Sequence, residues 1–493
     1  MSKRSKEQRK GAISQADLAK CLEVLEAIVA DRGALGEITR ETRRALLIAA
    51  GRVSRPERSE QRRLAKALRR KDKTSVRAAD DALLDGTGIR ELRRAPVFVT
   101  PGPAPELPAG GADEARVLNE ARKCYVCKAE FTELHAFYDQ MCPPCGELNW
   151  RKRHQTADLR GRTALVTGAR VKIGYQAAMK LLRAGARVIV TTRFPHDAAQ
   201  RYAREPDFEA WGERLLIYGL DLRHTPSVEA FSKHLIANGD RLDFILHNAC
   251  QTVRRPPGYY AHLMDAELAP LAALPPGARG LMTANEQLVR ARPGGRLAAE
   301  LSQAKLTPED HMLTGHVELF PAGALDQDLQ QIDLRTHNSW RLALADVPTV
   351  ELLEVMLVNA VAPFVLSAKL KPLMLRNPTG DRQIVNVSAM EGQFYREHKT
   401  DKHPHTNMAK AALNMLTRTS SPDYARDGIY MNSVDTGWVT DEDPAHLAAR
   451  KQEEHRFHPP LDIVDGAARI CDPVFTLSKE HGVFFKDYRP IPW

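Results

Sequence analysis

A chain of 493 residues is too long for one ordinary hydrophobic core, so two or three domains are expected. Hydrophobic residues make up 43% of the chain and charged residues 27%, as in a soluble globular protein. The sequence lacks a run of about 18 apolar residues, and its basic start lacks the apolar core of a secretory signal. The composition therefore argues against a membrane span and favours a cytoplasmic location.

The positive charge of the chain is concentrated near its start. Residues 1–100 hold 24 basic and 14 acidic residues, whereas the remainder is almost neutral. Apolar residues spaced three and four apart predict a basic helical segment over residues 1–98. One of its helices carries five close basic residues: Arg62, Arg63, Lys66, Arg69 and Arg70. This charge is either an ordinary solvated helix face or a patch for an anionic partner such as nucleic acid, a membrane surface or an acidic protein.

Two CxxC pairs follow a predicted linker. Residues 99–118 are rich in proline and glycine and are interpreted as the linker. Residues 119–156 carry the pairs, which are 14 residues apart: Cys124, Cys127, Cys142 and Cys145. In a chain without a secretory signal, such pairs favour a metal site over disulfides. Four thiolates form a closed tetrahedral site, so we predict a structural zinc knuckle; a redox dithiol pair or an iron site are the alternatives.

From residue 157 onward, short apolar strands alternate with helical segments. This alternation predicts an α/β fold, a doubly wound parallel sheet with helices on both faces, over residues 157–493. About 100 residues separate the fourth predicted strand from the next long helix, far more than a plain connection needs. We interpret residues 252–346 as an insertion that encloses a substrate.

A glycine-rich turn, TGARVKIG, follows the first strand of this domain and opens a helix. In this context such a turn places a pyrophosphate at the N-terminus of a helix. Gly168 allows the tight turn, and Gly174 lets the helix lie close to the sheet. The turn resembles the TGxxxGxG motif of the short-chain dehydrogenase/reductase family, with Lys172 in place of the middle glycine, where its ammonium either contacts a phosphate or obstructs it. The resemblance implies a Rossmann-like fold and cofactor contacts from Thr167, Gly168, Arg170, Lys172, Ile173 and Gly174.

Further motifs of that family follow in the same order along the chain. Asp221 and Leu222 stand where the family contacts adenine, and Asn248 and Ala249 resemble its NNAG motif. Arg193 ends the second strand, where an acidic residue usually holds the ribose diol of NAD. Since a 2′-phosphate needs a cation there, the sequence favours NADP over NAD.

The catalytic residues of the family are only partly matched. In the family a tyrosine transfers the proton, a lysine holds the ribose, a serine polarises the carbonyl and an asparagine maintains a water relay. By position, Asn359 and Lys410 match, but Thr406 stands at the tyrosine position. Ser388 lies one residue before the position that the family's SxxG spacing requires. An aliphatic hydroxyl is a far weaker acid than a phenol, so Thr406 does not supply the proton in the same way.

A long loop before the lysine helix offers other proton donors. Its titratable residues include Glu391, Tyr395, His398, His403 and His405. We predict that Tyr395 or His405 manages the proton, since a histidine with a pKa near neutrality is a competent general acid. Ser388 or Thr406 would then contact the substrate oxygen.

The leading hypothesis is an NADP-dependent oxidoreductase that reduces a carbonyl group or oxidises an alcohol of a small-molecule substrate. The second hypothesis is a catalytically silent dinucleotide-binding scaffold that uses the zinc module and the basic helices for partner contact. Either function is compatible with a homo-oligomer, and the sequence does not identify the substrate.

Overall fold

The structure is a computed structural model, and it divides the chain into two compact units. The first ends at Ala79, and the second extends from Asp80 to Trp493. The residues that the structure describes are 14–56, 58–102, 116–291, 296–312, 318–395, 399–455 and 458–493. Most of the predicted linker, residues 103–115, lies outside the described residues, as do residues 1–13 and His398.

The first unit consists of helices. They are α1 (Gln15–Ala30), α2 (Arg40–Ser54) and α3 (Arg58–Asp85), the last of which ends in the second unit. Ser14 caps α1, because its hydroxyl accepts a hydrogen bond of 3.1 Å from the Asp17 amide while the Asp17 carboxylate accepts one from the Ser14 amide. Neither α1 nor α2 buries a side chain within the described residues. On α3 the basic side chains of Arg62, Arg63, Lys66 and Arg69 are exposed.

The second unit begins with the cysteine-rich module. Its elements are α4 (Gly88–Arg94), β1 (Val117–Lys123), β2 (Glu130–Glu133) and α5 (Pro143–Arg153). Strands β1 and β2 pair antiparallel. Helix α4 packs on the segment between β2 and α5. The Ile89 amide donates to the Phe137 carbonyl at 2.9 Å, and Arg90 Nε donates to the buried Asp139 at 2.6 Å. These contacts explain why the division between the units falls at residue 79 instead of residue 98.

An eight-stranded sheet forms the centre of the second unit. Its strands are β3 (Thr163–Thr167), β4 (Arg187–Thr192), β5 (Leu215–Gly219), β6 (Phe244–His247), β7 (Arg382–Ser388), β8 (Ile429–Asp435), β9 (Phe484–Lys486) and β10 (Arg489–Ile491). The strand order is β10-β9-β8-β7-β6-β3-β4-β5, and every pair except β9 with β10 is parallel. Every residue of β3 and of β7 is buried, as expected for strands covered on both faces. The predicted doubly wound fold is confirmed.

Helices cover both faces of this sheet. Those that pack on it are α6 (Lys172–Arg183), α7 (Pro195–Ala203), α8 (Thr225–Asn238), α15 (Ala362–Leu375), α16 (Pro404–Arg426) and α18 (Ile463–Phe475). Helix α14 (Thr349–Met356) packs on α16, and α17 (Ala445–His455) lies between β8 and α18 in the chain. Successive β3 residues face opposite cores: Ala164 and Val166 pack with α6 and α18, and Leu165 packs with α8 and α15.

One of these helices is more apolar than the sequence analysis recognised. The continuous helix Thr349–Leu375 is long and apolar enough to cross a membrane, by length and composition alone. Nearly half of its most apolar window, 44%, is buried inside the fold. Because Leu366 and Leu370 lie in the core between helix and sheet, its composition is that of a core helix.

The insertion lies between β6 and α14. Its described helices are α9 (Ala261–Leu268), α10 (Pro276–Leu281), α11 (Thr283–Arg290), α12 (Ala298–Ser302) and α13 (Pro308–Met312). Tyr259, Tyr260 and Phe320 of the insertion form a small apolar cluster with Phe194, which follows β4. The insertion is therefore anchored on the sheet domain beside the end of β4.

Candidate active site

The carboxyl ends of the parallel strands open into a cleft of about 1250 Å³. It lies where the strand order reverses between β3 and β6, the usual ligand position in such sheets. The predicted residues that line it are Gly168, Arg170, Lys172, Ile173, Gly174, Arg193, Asp221, Leu222, Asn248, Ala249, Ser388, Thr406 and Lys410. The structure thus brings most of the predicted cofactor and catalytic positions to one cavity.

The turn between β3 and α6 packs directly on the end of β6. A Cβ atom on Gly168 would lie 2.8 Å from the Cα of Ala249, and one on Gly174 would lie 2.3 Å from the side-chain nitrogen of Asn248. This side-chain amide donates to the carbonyls of Thr167 and Gly168 at 3.1 and 3.2 Å. Both glycines are therefore required by close approach, and Thr167 is buried beneath the turn.

Lys172, at the middle-glycine position of the turn, has a left-handed backbone. Its φ is +56°, in the left-handed region that favours glycine. Its ammonium lies 3.9 Å from a carboxylate oxygen of Asp328, which belongs to the insertion. The turn therefore holds a lysine in a conformation that favours glycine, and the insertion supplies a negative charge beside its ammonium.

Arginines surround the end of β4. Arg193 donates a hydrogen bond of 2.6 Å to the Tyr260 hydroxyl, and its guanidinium lies 4.6 Å from the centre of that ring. Burial raises the pKa of Tyr260, but the neighbouring Arg193 and Arg255 outweigh burial and hold that pKa below its usual value. Arg170 is paired with Asp197 at 2.7 Å, a carboxylate that it shares with Arg201, and Arg255 is paired with Asp333.

Asp221 is nearly fully buried and is held by Arg223. The guanidinium of Arg223 contacts both carboxylate oxygens of Asp221, the shortest contact being 2.6 Å, and also donates to Glu354 at 2.9 Å. Burial raises the pKa of Asp221, but hydrogen bonds from Arg223 outweigh it and lower that pKa. Asp221 is therefore a carboxylate with a fixed orientation at the wall of the cleft.

Helix α16 and strand β7 bring the catalytic candidates together. The Lys410 ammonium is buried and donates to the Val387 carbonyl at 2.8 Å. Ser388 donates to the side-chain oxygen of Asn414 at 2.6 Å, and Asn386, two residues earlier, donates to a threonine of the same helix. Strand alternation thus turns Ser388 toward α16, without a bulge in the pairing of β7 with β8. The one-residue offset does not remove this serine from the cleft.

Thr406 lines the cleft and has a buried hydroxyl that lacks a partner among the described residues. The residue is 1% exposed, and its hydroxyl makes no hydrogen bond to any described residue. A buried hydroxyl without a partner carries a desolvation cost of about 1–3 kcal/mol. Such a group is suited to a hydrogen bond with a ligand that enters the cleft.

Asn359 lies behind the cleft, in a π-helical turn. This turn, Leu357–Val361, joins α14 to α15. The side-chain amide of Asn359 donates to the carbonyls of Gln251 and Val355, both at 2.9 Å. Single π-turns inside α-helices are frequent at functional sites. The side chain of Asn359 therefore ties this helix to the segment that follows β6.

The two predicted proton donors, Tyr395 and His405, are not among the residues that line the cleft. Tyr395 is 96% exposed, and His405 is buried; neither lines the cleft as the described residues define it. Burial lowers the pKa of His405 to about 4, so it is neutral at physiological pH. Lys399, Thr400 and His403 of the same loop do line the cleft, whereas His405 is buried in the first turn of α16.

His403 is the loop histidine that lines the cleft. Its ring stacks on Trp340 of the insertion, with ring centres 4.0 Å apart and planes 10° apart. Its backbone is left-handed, with φ of +44°, although a proline follows. That conformation costs about 1–3 kcal/mol for a residue other than glycine and persists only where the surroundings enforce it. The sequence showed several loop histidines but no signal that separates this one from the others.

The four cysteines converge on one point. Their sulfur atoms all lie within 4.8 Å of one another, and Cys127 and Cys142 Sγ are 3.7 Å apart. Four thiolates bound tetrahedrally at about 2.3 Å would have their sulfurs about 3.8 Å apart, so the arrangement fits a metal ion. Burial raises the pKa of Cys124, but backbone amides of the two knuckles outweigh burial and bring that pKa to about 7.

Buried ion pairs join this module to the sheet domain. Arg153 of α5 donates to both carboxylate oxygens of Asp462 at 2.6 and 2.7 Å, and lies 3.1 Å from Asp465. The Tyr138 hydroxyl also donates to Asp465 at 2.6 Å. Both carboxylates lie at the start of α18, where they cap the helix. The cysteine module is therefore packed on the sheet domain as part of one core.

Known proteins resemble this chain over the cleft-forming region. The short chain dehydrogenase model matches residues 162–265, and the enoyl-(acyl carrier protein) reductase model matches residues 322–461. The chain is 30% identical over 386 residues to Uncharacterized protein R665 of Acanthamoeba polyphaga mimivirus. The aligned region covers 75% of this chain and 74% of that protein. It is 36% identical over 107 residues to human dehydrogenase/reductase SDR family member 13, only 22% of this chain and 26% of that protein.

Among solved structures, the fold is similar to that of a short chain dehydrogenase from Burkholderia cenocepacia J2315 in complex with NADP. The identity is 18% and the TM-score 0.41, over 66% of this chain and 96% of that one. Two family models, matched in order on the strands and helices that build the cleft, identify the domain around it. The chain belongs to the short-chain dehydrogenase/reductase family of oxidoreductases.

Proposed function

We propose that this protein is an NADP-dependent oxidoreductase that interconverts a carbonyl group and an alcohol without the family's catalytic tyrosine. One observation carries the proposal. The glycine turn, Lys410, Ser388 and Thr406 all line the same cleft. A cofactor site and groups suited to a substrate oxygen are thus adjacent.

The residues at the β3 and β4 ends are suited to the cofactor. Gly168 and Gly174 leave the backbone close enough for a pyrophosphate at the N-terminus of α6. Arg193 lines the cleft at the strand end where a 2′-phosphate needs a cation. Lys410 would hold the nicotinamide ribose. NADP, when bound, supplies or accepts a hydride.

The hydroxyls and one histidine would serve the substrate. Thr406 lines the cleft, and its buried hydroxyl has no hydrogen-bond partner among the described residues. We infer that it binds the substrate oxygen together with Ser388. Because Tyr395 and His405 lie outside the cleft lining, we assign the proton step to His403, which lines it and is held by Trp340.

The test is turnover with a panel of aldehydes, ketones and alcohols, followed by NADPH absorbance. Wild-type protein should reduce at least one class of carbonyl compound. His403→Ala should lower kcat by about 10²–10⁴-fold, the usual contribution of a general acid. Tyr395→Phe is the matched control and should leave the rate unchanged, since Tyr395 is almost fully exposed. An unchanged rate in His403→Ala would remove His403 from the proposal.

A silent scaffold is the second candidate, and one observation favours it. The Ser388 hydroxyl proton is committed to Asn414, and Thr406 offers no acidic proton. If the cleft only binds a dinucleotide, NADPH should bind tightly while the whole substrate panel remains unreduced. In that case His403→Ala should leave the NADPH affinity unchanged as well.

We also propose that the four cysteines hold one structural zinc ion. The sulfur positions fit a tetrahedral site with no open coordination position. Metal analysis of the purified protein should give about one zinc per chain. Iron in place of zinc would keep the site and change the ion, whereas reactive thiols without any metal would contradict both.

A further inference from the structure

One part of the cleft wall comes from the cysteine module. Tyr125 and Lys128 line the cleft, and both lie in the knuckle that begins at Cys124. Tyr125 stands between the metal-ligand candidates Cys124 and Cys127 in the chain. A module assigned to stability alone would not be expected to contribute side chains to the functional cavity.

Tyr125 makes a specific contact with the turn that follows β8. The Trp438 amide donates a hydrogen bond of 3.0 Å to the Tyr125 hydroxyl. The turn Thr436–Trp438 itself lines the cleft. Its middle residue, Gly437, has a φ of +75°, and a Cβ atom there would lie 3.1 Å from the same hydroxyl and 2.4 Å from a Leu461 methyl. The phenol and the turn are therefore in close contact, with no room for a side chain between them.

The phenol is also fixed from its other sides. The Lys486 ammonium lies 5.9 Å from the ring centre and donates to Asp435, the last residue of β8, at 2.9 Å. The Tyr125 amide donates to the Gln140 carbonyl at 2.8 Å, and the Gln140 side chain donates to the His458 carbonyl at 2.6 Å. The knuckle, the strand end and the turn thus form one connected contact network.

We propose that the metal module positions the cleft: the metal fixes the Cys124–Cys127 knuckle, and Tyr125 in turn fixes the Thr436–Trp438 turn against the bound cofactor. Tyr125 is a positioning residue here, since it acts through the turn. The proposal deepens the proposed function and rests on it for the identity of the ligand. It predicts that loss of the metal weakens cofactor binding by loosening this turn, beyond any loss of overall stability.

The direct test is Tyr125→Phe, which keeps the ring and removes the acceptor for the Trp438 amide. We expect NADPH affinity to fall about fivefold, as for the loss of one neutral hydrogen bond, with little change in Tm. Hydrogen exchange of the Trp438 amide should become faster. Tyr430→Phe is the matched control, because Tyr430 lies on β8 outside the cleft lining, and it should change neither measurement.

The second arm removes the metal from the full chain with a chelator, and in parallel by Cys145→Ser. Both should accelerate Trp438 exchange and weaken NADPH binding, and Tyr125→Phe should add little once the metal is gone. Unchanged Trp438 exchange and NADPH affinity in Tyr125→Phe would overturn the inference. If wild-type protein binds neither NADPH nor NADH, the proposed cofactor fails, whereas the exchange rate of Trp438 still tests the link between metal and turn.

Discussion

The guanidinium of Arg193 donates a hydrogen bond of 2.6 Å to the hydroxyl of Tyr260. Arg193 follows a central strand of the sheet, whereas Tyr260 belongs to the insertion. The insertion therefore reaches the part of the cleft where a 2′-phosphate would bind, in addition to the part near Trp340. Selectivity between the two nicotinamide cofactors is the property that this contact should control.

Arg193→Asp should narrow or reverse the preference for NADPH over NADH, because it replaces the cation with a repelling carboxylate. Tyr260→Phe should narrow the preference less, since it only removes the hydrogen bond that orients Arg193. Dissociation constants for both cofactors, measured by fluorescence titration, check the two variants. Equal affinities of the wild-type protein for NADPH and NADH would contradict the assignment of Arg193.

Lys410→Ala should weaken cofactor binding, whereas Thr406→Val should affect the substrate and not the cofactor. Without the Lys410 ammonium, cofactor affinity and turnover should both fall by about tenfold or more, as for a lost charged hydrogen bond of ~1.5–3 kcal/mol. Thr406→Val keeps the side-chain shape and removes a buried hydroxyl that lacks a partner among the described residues. It should leave cofactor affinity unchanged, raise KM, and preserve or raise Tm. A lower Tm in Thr406→Val would indicate that the hydroxyl has a structural partner.

Replacing Cys142 and Cys145 by serine should remove the metal and destabilise the second unit. Structural metal sites contribute folding free energy directly, so the loss should reach several kcal/mol and lower Tm strongly. Elemental analysis and thermal unfolding measure the two effects. Cys250→Ser, at an exposed cysteine outside the cluster, is the control and should retain the metal.

Stability should fall as the pH is lowered from about 6.5 toward 4. Burial lowers the pKa of His405 to about 4 and that of His247 to about 3. As the pH falls, each histidine binds a proton in the unfolded state at a higher pH than in the folded state. The free energy of unfolding is therefore constant with respect to these histidines above pH ~6.5. Below that pH it decreases by up to ~1.4 kcal/mol per pH unit for each histidine. His405→Phe should reduce the slope of unfolding free energy against pH. An unchanged slope would contradict the buried neutral form of His405.

Binding of an anionic partner to the basic helices should depend steeply on salt. We propose that the exposed face of α3 with Arg62, Arg63 and Lys66 makes such contacts. Affinity for a duplex DNA probe should fall between 50 and 200 mM salt, roughly in proportion to the number of released counterions. Charge reversal at these three positions should abolish the binding. Salt-independent affinity, or none at low salt, would assign the charge to an ordinary solvated face.

The sequence predicted the sheet domain and the convergence of the four cysteines well, because both depend on local patterns. Short apolar strands alternating with helices specify a parallel sheet, and the CxxC spacing specifies converging thiolates. Gly174 was identified for the reason that the structure gives, which is close packing, and Gly168, predicted for a tight turn, has a φ of +68°. These features need no knowledge of residues that are distant in the chain.

The remaining features depend on contacts between distant residues. Nothing near His403 in the sequence distinguishes it from His405, because only the stacking on Trp340 places it at the cleft. The contact of Tyr125 with Trp438 joins residues more than three hundred positions apart. Likewise, the left-handed backbone of Lys172 could not be deduced from a residue type that rarely adopts it.

The ion pairs of Arg153 with Asp462 and Asp465 have a practical consequence for anyone who shortens this chain. A protein that starts at residue 157 would retain every strand of the eight-stranded sheet but lose the guanidinium that is paired with two buried carboxylates. Removing one partner of a buried pair typically costs about 3–5 kcal/mol. Such a truncated protein should be recovered insoluble, and adding Asp462→Asn and Asp465→Asn should restore part of its solubility.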